Sequence, residues 1–283
     1  MTKNLLVVGA HSADVGGNLD QGAVYVFDWY PGGGQASSQV TKLVASDGAT
    51  DDHFGASLSV SGNTILAGAV SATVAEKGHQ GAAYVFDRNL GGSDGWRQVA
   101  RLTASDGEEG DYFGRVALSG DTALVGASYA RVGWNVEQGA AYIYYRNQGG
   151  ANACGEVVKL LAADGSEEDY FGSSVSLDGD IAVIGAVGAD GDEKSDEGAA
   201  YTFGRNLGGP AAWGQLAKIT ADDATEHDWF GVHAAVSGDT ILVGAPVARV
   251  SGRECQGAAY VFGPPGPRYV LYVPLTARTP ASP

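Results

Sequence analysis

Along "FGASLSV" (residues 54–60), apolar and small polar residues alternate. Leu58 and Val60 fall on one face and Ser57 and Ser59 on the other, the period-two signature of a strand. "TILAGA", "AAYVF" and "RQVARLTA" belong to the same stretch, so one unit reads as four short strands, A to D. Small residues on the second face of strand A suit a sheet packed closely on another sheet. Ser-Gly or Asp-Gly followed by Asn or Asp joins A to B, a hairpin-turn signal. No segment carries a 3.6-residue period beyond two turns.

The unit recurs. Gly-Ala places its glycine at Gly9, Gly68, Gly126, Gly185 and Gly244, and Gly-Ala-(Ala/Val)-Tyr starts at Gly22, Gly81, Gly139, Gly198 and Gly257. Phe-Gly gives Gly55, Gly114, Gly172 and Gly231; the last apolar residue of strand D is Leu43, Leu102, Leu160 and Ile219. All four series step by 59, 58 and 59 residues, with a further 59 where they run on. The short step reflects one residue missing between Phe-Gly and Ser-Gly in the third unit.

A four-stranded sheet of about 60 residues has two faces to bury and is too small to stand alone. Stacking such sheets radially covers both faces. The expected fold is therefore all-β, a β-propeller of five four-stranded antiparallel blades with a repeat of about 59 residues, forming one domain over residues 1–275. The chain opens at the level of strand B, so the first blade lacks its own strand A. "RYVLYVPL" near the end serves either as strand D of the last unit or as the strand that closes the ring on the first. Residues 276–283 read as a Pro-rich tail. A fragment of a longer array is a further reading.

Composition narrows function. The net charge of −16 argues against nucleic-acid binding, and no apolar run is long enough to span a membrane. Two cysteines are too few for a disulfide framework. Cys154 lies in a C–D loop and Cys255 in a B–C loop, on opposite faces, so two separate thiols are expected. "MTKNLLVVGA" lacks the apolar stretch and cleavage site of a secretory leader, which leaves either a processed chain or an intracellular one.

The motifs carry a resemblance. "FGVHAAVSGDTILVGAP" holds a literal Phe-Gly … Gly-Ala-Pro pattern and resembles the FG-GAP repeats of integrin alpha-chain propellers. It is more similar still to bacterial repeats of that class. The resemblance covers residues 4–262 and implies a β-propeller, usually extracellular or at the cell surface, engaged in adhesion or ligand binding. Two departures stand out. Integrin propellers usually have seven blades, against five units here. Their Asp-x-Asp-x-Asp-Gly calcium loop is replaced by turns such as "SGN", "SGD" and "DGD", too tight to supply six to eight oxygens. No Arg-Gly-Asp sequence is present either.

In a meander, B–C and D–A loops emerge on one face and A–B and C–D loops on the other. Most of the 33 acidic residues fall on the first face. They include Asp47, Asp51 and Asp52; Asp106 and Asp111; Asp164 and Asp169; Asp222 and Asp228. One reading is solvated loops whose first Asp accepts backbone N–H groups in an Asx-type turn. The other is a docking surface for a cationic partner, or calcium sites. The metal candidates are Asp190, Asp192 and Asp196, with Lys194 standing where a third ligand would be wanted. No cofactor is otherwise expected.

The recurring Phe54, Phe113, Phe171 and Phe230, and the tyrosines of strand C, read as packing between blades. Trp96, Trp213 and Cys154 occupy one place before strand D and read as wedges, with carbohydrate stacking by the tryptophans the alternative. Arg115 and His233 replace Ser57 and Ser174 at matching strand-A positions facing the channel. Arg131, Trp134 and Arg249 stand out in the variable B–C loops as candidate anchors, since aromatic and Arg side chains dominate interface energetics. Almost every polar residue obeys the repeat, whereas catalysis usually needs a constellation that breaks it. The expectation is a non-catalytic binding or adhesion module presenting loops to a protein or glycan. The alternatives are a structural repeat of a larger surface protein or oligomer, self-associating through the incomplete first blade, and a glycan-active enzyme.

Overall fold

The computed structural model describes residues 4–29, 38–88, 95–151, 153–190, 195–207, 209, 212–250, 252–253, 255–263 and 269–271. These form five antiparallel sheets in chain order. The first holds β1 (Asn4–Ala10), β2 (Ala23–Trp29) and β3 (Ser38–Leu43). The second holds β4 (Phe54–Ser61), β5 (Thr64–Ala69), β6 (Ala82–Asp87) and β7 (Arg97–Leu102), and the third β8 (Phe113–Ser119), β9 (Thr122–Ala127), β10 (Ala140–Tyr145) and β11 (Gly155–Leu160). The fourth holds β12 (Phe171–Asp178), β13 (Ile181–Ala186), β14 (Ala199–Arg205) and β15 (Trp213–Ile219), and the fifth β16 (His233–Ser237), β17 (Thr240–Ala245), β18 (Ala258–Phe262) and β19 (Tyr269–Leu271). Each is a simple meander.

Strand A begins with a bulge. The pairing jumps from Phe54 to Ser57 and from Phe171 to Ser174, but only from Phe113 to Arg115. The residue missing from the third unit is thus absorbed in the bulge, and the ladder beyond it keeps its register.

Neighbouring sheets meet through strand A of the later one. Phe54, Tyr84 and Phe86 of the second sheet share a core with Val24 and Val26 of the first. The later joints repeat the arrangement with Phe113, Phe171 and Phe230. Each of these phenylalanines is fully buried and meets the tyrosine of its own strand C edge to face, 5.3–5.7 Å between centroids. Such contacts add to the gain from burial. Strand A is an edge strand with free backbone donors. Serines of the preceding sheet accept them: Ser57, Ser59 and Ser61 take the N–H groups of Val116, Leu118 and Gly120 at 2.9–3.0 Å. Ser119 and Ser176 do the same for Gly179 and Val236. The small polar face of strand A is therefore a hydrogen-bonding seam.

The first sheet has three described strands rather than four, as a first blade lacking its own strand A implies, and β19 takes the strand-D place in the fifth sheet, one of the two readings open for "RYVLYVPL". Among the described residues, the first and fifth sheets do not pack on each other as successive sheets do. Leu6 and Val8 of β1 are 43% and 44% exposed, and Leu242 of β17 is 44% exposed. Their counterparts Ile65, Ala67 and Leu66 are fully buried. Among the described residues, the five blades form an open arc with one uncovered face at each end. Residues 276–283 lie outside the described residues.

Candidate functional site: a cleft on the inner edge of the arc

The loops segregate as the meander requires. Asn18 of the first B–C loop reaches the Gly48 carbonyl of the following D–A loop, and Asn135 reaches that of Gly165. Lys77 makes the equivalent bond to Gly107 at 2.7 Å.

Within the D–A loops the last aspartate, and not the first, carries the turn. Asp52, Asp111, Asp169 and Asp228 are buried and accept the N–H of Ala49, Glu108, Ser166 and Thr225 at 2.7–2.8 Å. Burial pushes the carboxyls of Asp52, Asp111 and Asp169 above their usual range. The first aspartates instead face cations on strand D of the next sheet. Asp47, Asp106 and Asp164 pair with Arg101, Lys159 and Lys218 at 2.9, 2.6 and 2.8 Å. Those cations also lie over the rings of Tyr84, Tyr142 and Tyr201. Burial alone would raise Asp106, but hydrogen bonds from Lys159 and Tyr142 outweigh it and hold the carboxyl below its ordinary value. Much of the acidic face is thus committed to internal bonds, which weakens its reading as a docking surface for a cation-rich partner. Asp51 and Asp222 are exposed.

The residue between that last aspartate and Phe-Gly is His53, Tyr112, Tyr170 or Trp229, and all four have positive φ, 52–57°. The left-handed region is unusual for a bulky side chain. Here neighbouring bonds over-determine it. The N–H of Tyr112 bonds to the His79 carbonyl, that of Phe113 to Gln80, that of Tyr170 to Glu137 and that of Phe171 to Gln138, at 2.9–3.1 Å. The turn seats Phe in the core and sends the ring before it toward the mouth of the arc.

There the strand-A segments of four sheets converge on a cleft of about 720 Å³, lined by Ser57, Arg115, Ser174 and His233 at matching positions. Tyr129, Tyr170 and Trp229 line its rim. Tyr129 packs 5.1 Å from Tyr112 and 5.2 Å from Tyr170, and Tyr112 stacks on His79 at 5.5 Å. Tyr129 breaks the repeat: Ser12, Ser71, Gly188 and Val247 occupy its register. Gly188 in turn leaves room for Tyr170, because a Cβ there would reach within 2.8 Å of that ring. Tyr129 and Trp229 remain 43% and 47% exposed.

Polar groups are interleaved with the rings. The Tyr170 hydroxyl donates to Glu137 at 2.8 Å; burial and that carboxylate raise its pKa. Asp196 pairs with His227 at 3.0 Å, and Glu168 lies beside Tyr170 on the rim. The side chains of Arg115 and His233 are exposed. The cleft can therefore stack a ligand on aromatic faces and hydrogen-bond it from several sides.

The other candidates lie elsewhere. Val132 and Asn135 pair across a tight loop whose tip carries Trp134, 93% exposed, with Arg131 exposed beside it. Arg249 is exposed in the last B–C loop. Asp190 accepts the N–H of Asp196 at 3.0 Å, while Asp192 lies outside the described residues. Among the described residues, no group of three or more His, Cys, Asp or Glu side chains is placed to hold a metal ion. Trp213 is buried and donates to the Tyr145 hydroxyl at 2.8 Å, while Cys154 and Cys255 are free thiols.

The rim aromatics are what sequence reasoning passed over. Their signal was an aromatic or His at every Asp-x-Phe-Gly, although the adjacent Phe already fills the core.

The FG-GAP repeat profile matches residues 37–86, 96–144, 154–203 and 213–262. Each match runs from strand D of one sheet through strand C of the next, so the sequence repeat is offset from the blade. No curated protein matches the chain. Among solved structures it is similar to apo AztD from Citrobacter koseri, at 15% identity and a TM-score of 0.43, over 91% of this chain and 56% of that one. It is also similar to Sqt1 from Chaetomium thermophilum, at 13% identity and a TM-score of 0.45, over 92% and 66%. A third is β-1,2-mannobiose phosphorylase from Listeria innocua, at 12% identity and a TM-score of 0.39, over 86% and 67%. The chain thus spans less than two thirds of the length of AztD. With the repeat profile covering well over half its residues and five successive antiparallel sheets built on it, the chain belongs to the FG-GAP repeat family of β-propellers.

Proposed function

We propose that this protein is a non-catalytic binding module of the adhesion type, and that the cleft on the inner edge of the arc takes its ligand, a glycan. The observation that carries this reading is the rim of Tyr129, Tyr170 and Trp229 around Arg115 and His233. Aromatic faces stack on the apolar faces of sugar rings, while Arg and carboxylate side chains bond the hydroxyls. Two of the ionisable pairs at the cleft, Asp196 with His227 and Tyr170 with Glu137, are tied together, which supports binding more than acid–base chemistry. An extracellular or cell-surface setting, which the repeat resemblance implies, belongs to the proposal.

Trp134 favours a second reading, a protein partner held by the B–C loops. A tryptophan 93% exposed beside Arg131 is the kind of residue that anchors interfaces.

A glycan array followed by calorimetric titration of the best binder tests the first reading. The expected result is saturable binding, weakened at least tenfold by Trp229→Ala and unchanged by Trp134→Ala. Absence of any glycan binder overturns it, and binding lost only in Trp134→Ala moves the site to the loops.

A further inference from the structure

Each joint between sheets rests on two glycines of the earlier sheet. At Gly9, Gly68, Gly126 and Gly185 on strand B, the backbone carbonyl of the next unit's Phe-Gly glycine presses so close that a Cβ would overlap it. At Gly22, Gly81, Gly139 and Gly198, the backbone of the next unit's Phe fills the same kind of slot. The pairings of Gly22 with Phe54, Gly139 with Phe171 and Gly198 with Phe230 are parallel bridges. The fifth sheet repeats both glycines, as Gly244 and Gly257, and there the slots are open. Among the described residues, a Cβ on Gly244 would meet nothing nearer than His233 at 3.7 Å, and one on Gly257 would meet the carbonyl of Pro246, in the turn just after β17, at 2.9 Å but no backbone of a following unit. Leu242 stands exposed beside them, although Leu66, Leu124 and Val183 at its register are fully buried beneath the next sheet.

We propose that this face of the fifth sheet docks a fifth Phe-Gly strand–turn–strand unit, beyond the four seated within residues 1–283. The surface continues an interface already made four times in this molecule, and its shape selects backbone with Phe-Gly at the leading end. A second copy of this chain fits poorly. Its four Phe-Gly strands are already seated, and its exposed first sheet has none to offer.

The test adds a synthetic peptide copying residues 111–127 to the full chain, following saturable binding and the thermal midpoint. The expected result is binding with a raised midpoint, since a ligand that binds only the native state stabilises it. Gly244→Ala should keep its own midpoint but lose peptide affinity at least tenfold, and Leu242→Lys should lose it too. A peptide carrying Phe113→Ala and Gly114→Val should not bind. No saturable binding overturns the proposal, and so does equal binding to wild type and both variants. Dimerisation of the chain that Gly244→Ala abolishes also overturns it, by assigning the face to a second copy.

Discussion

Tyr129 meets Tyr170 with ring centroids 5.2 Å apart and planes inclined at 64°, joining the third sheet to the approach of the fourth. The contact is peculiar to this joint, because every other unit has a small or aliphatic residue at the register of Tyr129. A double-mutant cycle with Tyr129→Ser and Tyr170→Ala should give a coupling of about 0.5–1.5 kcal/mol. Strict additivity in urea unfolding would mean that the rings are neighbours without being partners.

The close approach of backbones makes a sharper claim. Gly68→Ala drives a Cβ into the Gly114 carbonyl, so the second and third sheets must part. A loss of about 3 kcal/mol is expected, at the upper end of the usual cost of overpacking. Gly62→Ala, at a turn with φ of 57° and open space around it, should cost only about 1 kcal/mol. Urea denaturation of both variants checks the contrast, and equal losses would contradict it.

The serine seam predicts a different pattern. Ser59→Ala removes the acceptor for the Leu118 N–H and creates almost no cavity. The cost should be about 1 kcal/mol, the net worth of a typical hydrogen bond, because the seam is part-buried. Ser46→Ala, at an exposed loop position whose bond to Gln98 comes from the backbone N–H, should cost less. The two unfolding midpoints in urea make the comparison.

Opposite pKa shifts on neighbouring aspartates give stability a two-sided pH dependence. Burial raises Asp52, Asp111 and Asp169, so the native state binds their protons more readily than the unfolded chain does. Their contribution improves as pH falls through the folded pKa. For Asp106 and Asp164, burial is outweighed by bonds from Lys159 and Tyr142 and from Lys218. Their stabilisation is complete above the unfolded value and is lost as pH falls through the lower folded one. The thermal midpoint should therefore hold or rise from pH 7 toward about 5 and fall below about 4, the ordinary carboxylate range. Asp111→Asn, which keeps an acceptor oxygen without the charge, should flatten the rise. A midpoint that drops steadily from pH 7 would contradict the assignment.

The strands, their order and the two loop faces were legible because the repeat shows in four independent registers, and alternation in "FGASLSV" fixes which side chains share a face. The seam itself was only half legible: Ser57 and Ser59 read as small, while their role as acceptors depends on the neighbouring edge strand. The turn-forming aspartate was read as Asp47 where the structure uses Asp52, because "SDGATDD" offers several carboxylates and burial alone selects one. Ring closure was left open by the sequence for a deeper reason. Equivalence of units says which face fits which, but not whether the fifth sheet reaches the first. The left-handed backbone at Tyr112 and Trp229 leaves no mark in composition, since bulky residues rarely adopt it.

The most direct test of the central claim is the affinity of Trp229→Ala for the best array glycan, measured beside its thermal midpoint. At least a tenfold loss of affinity is expected, with the midpoint within a few degrees of wild type. Unchanged affinity in a folded variant would contradict it.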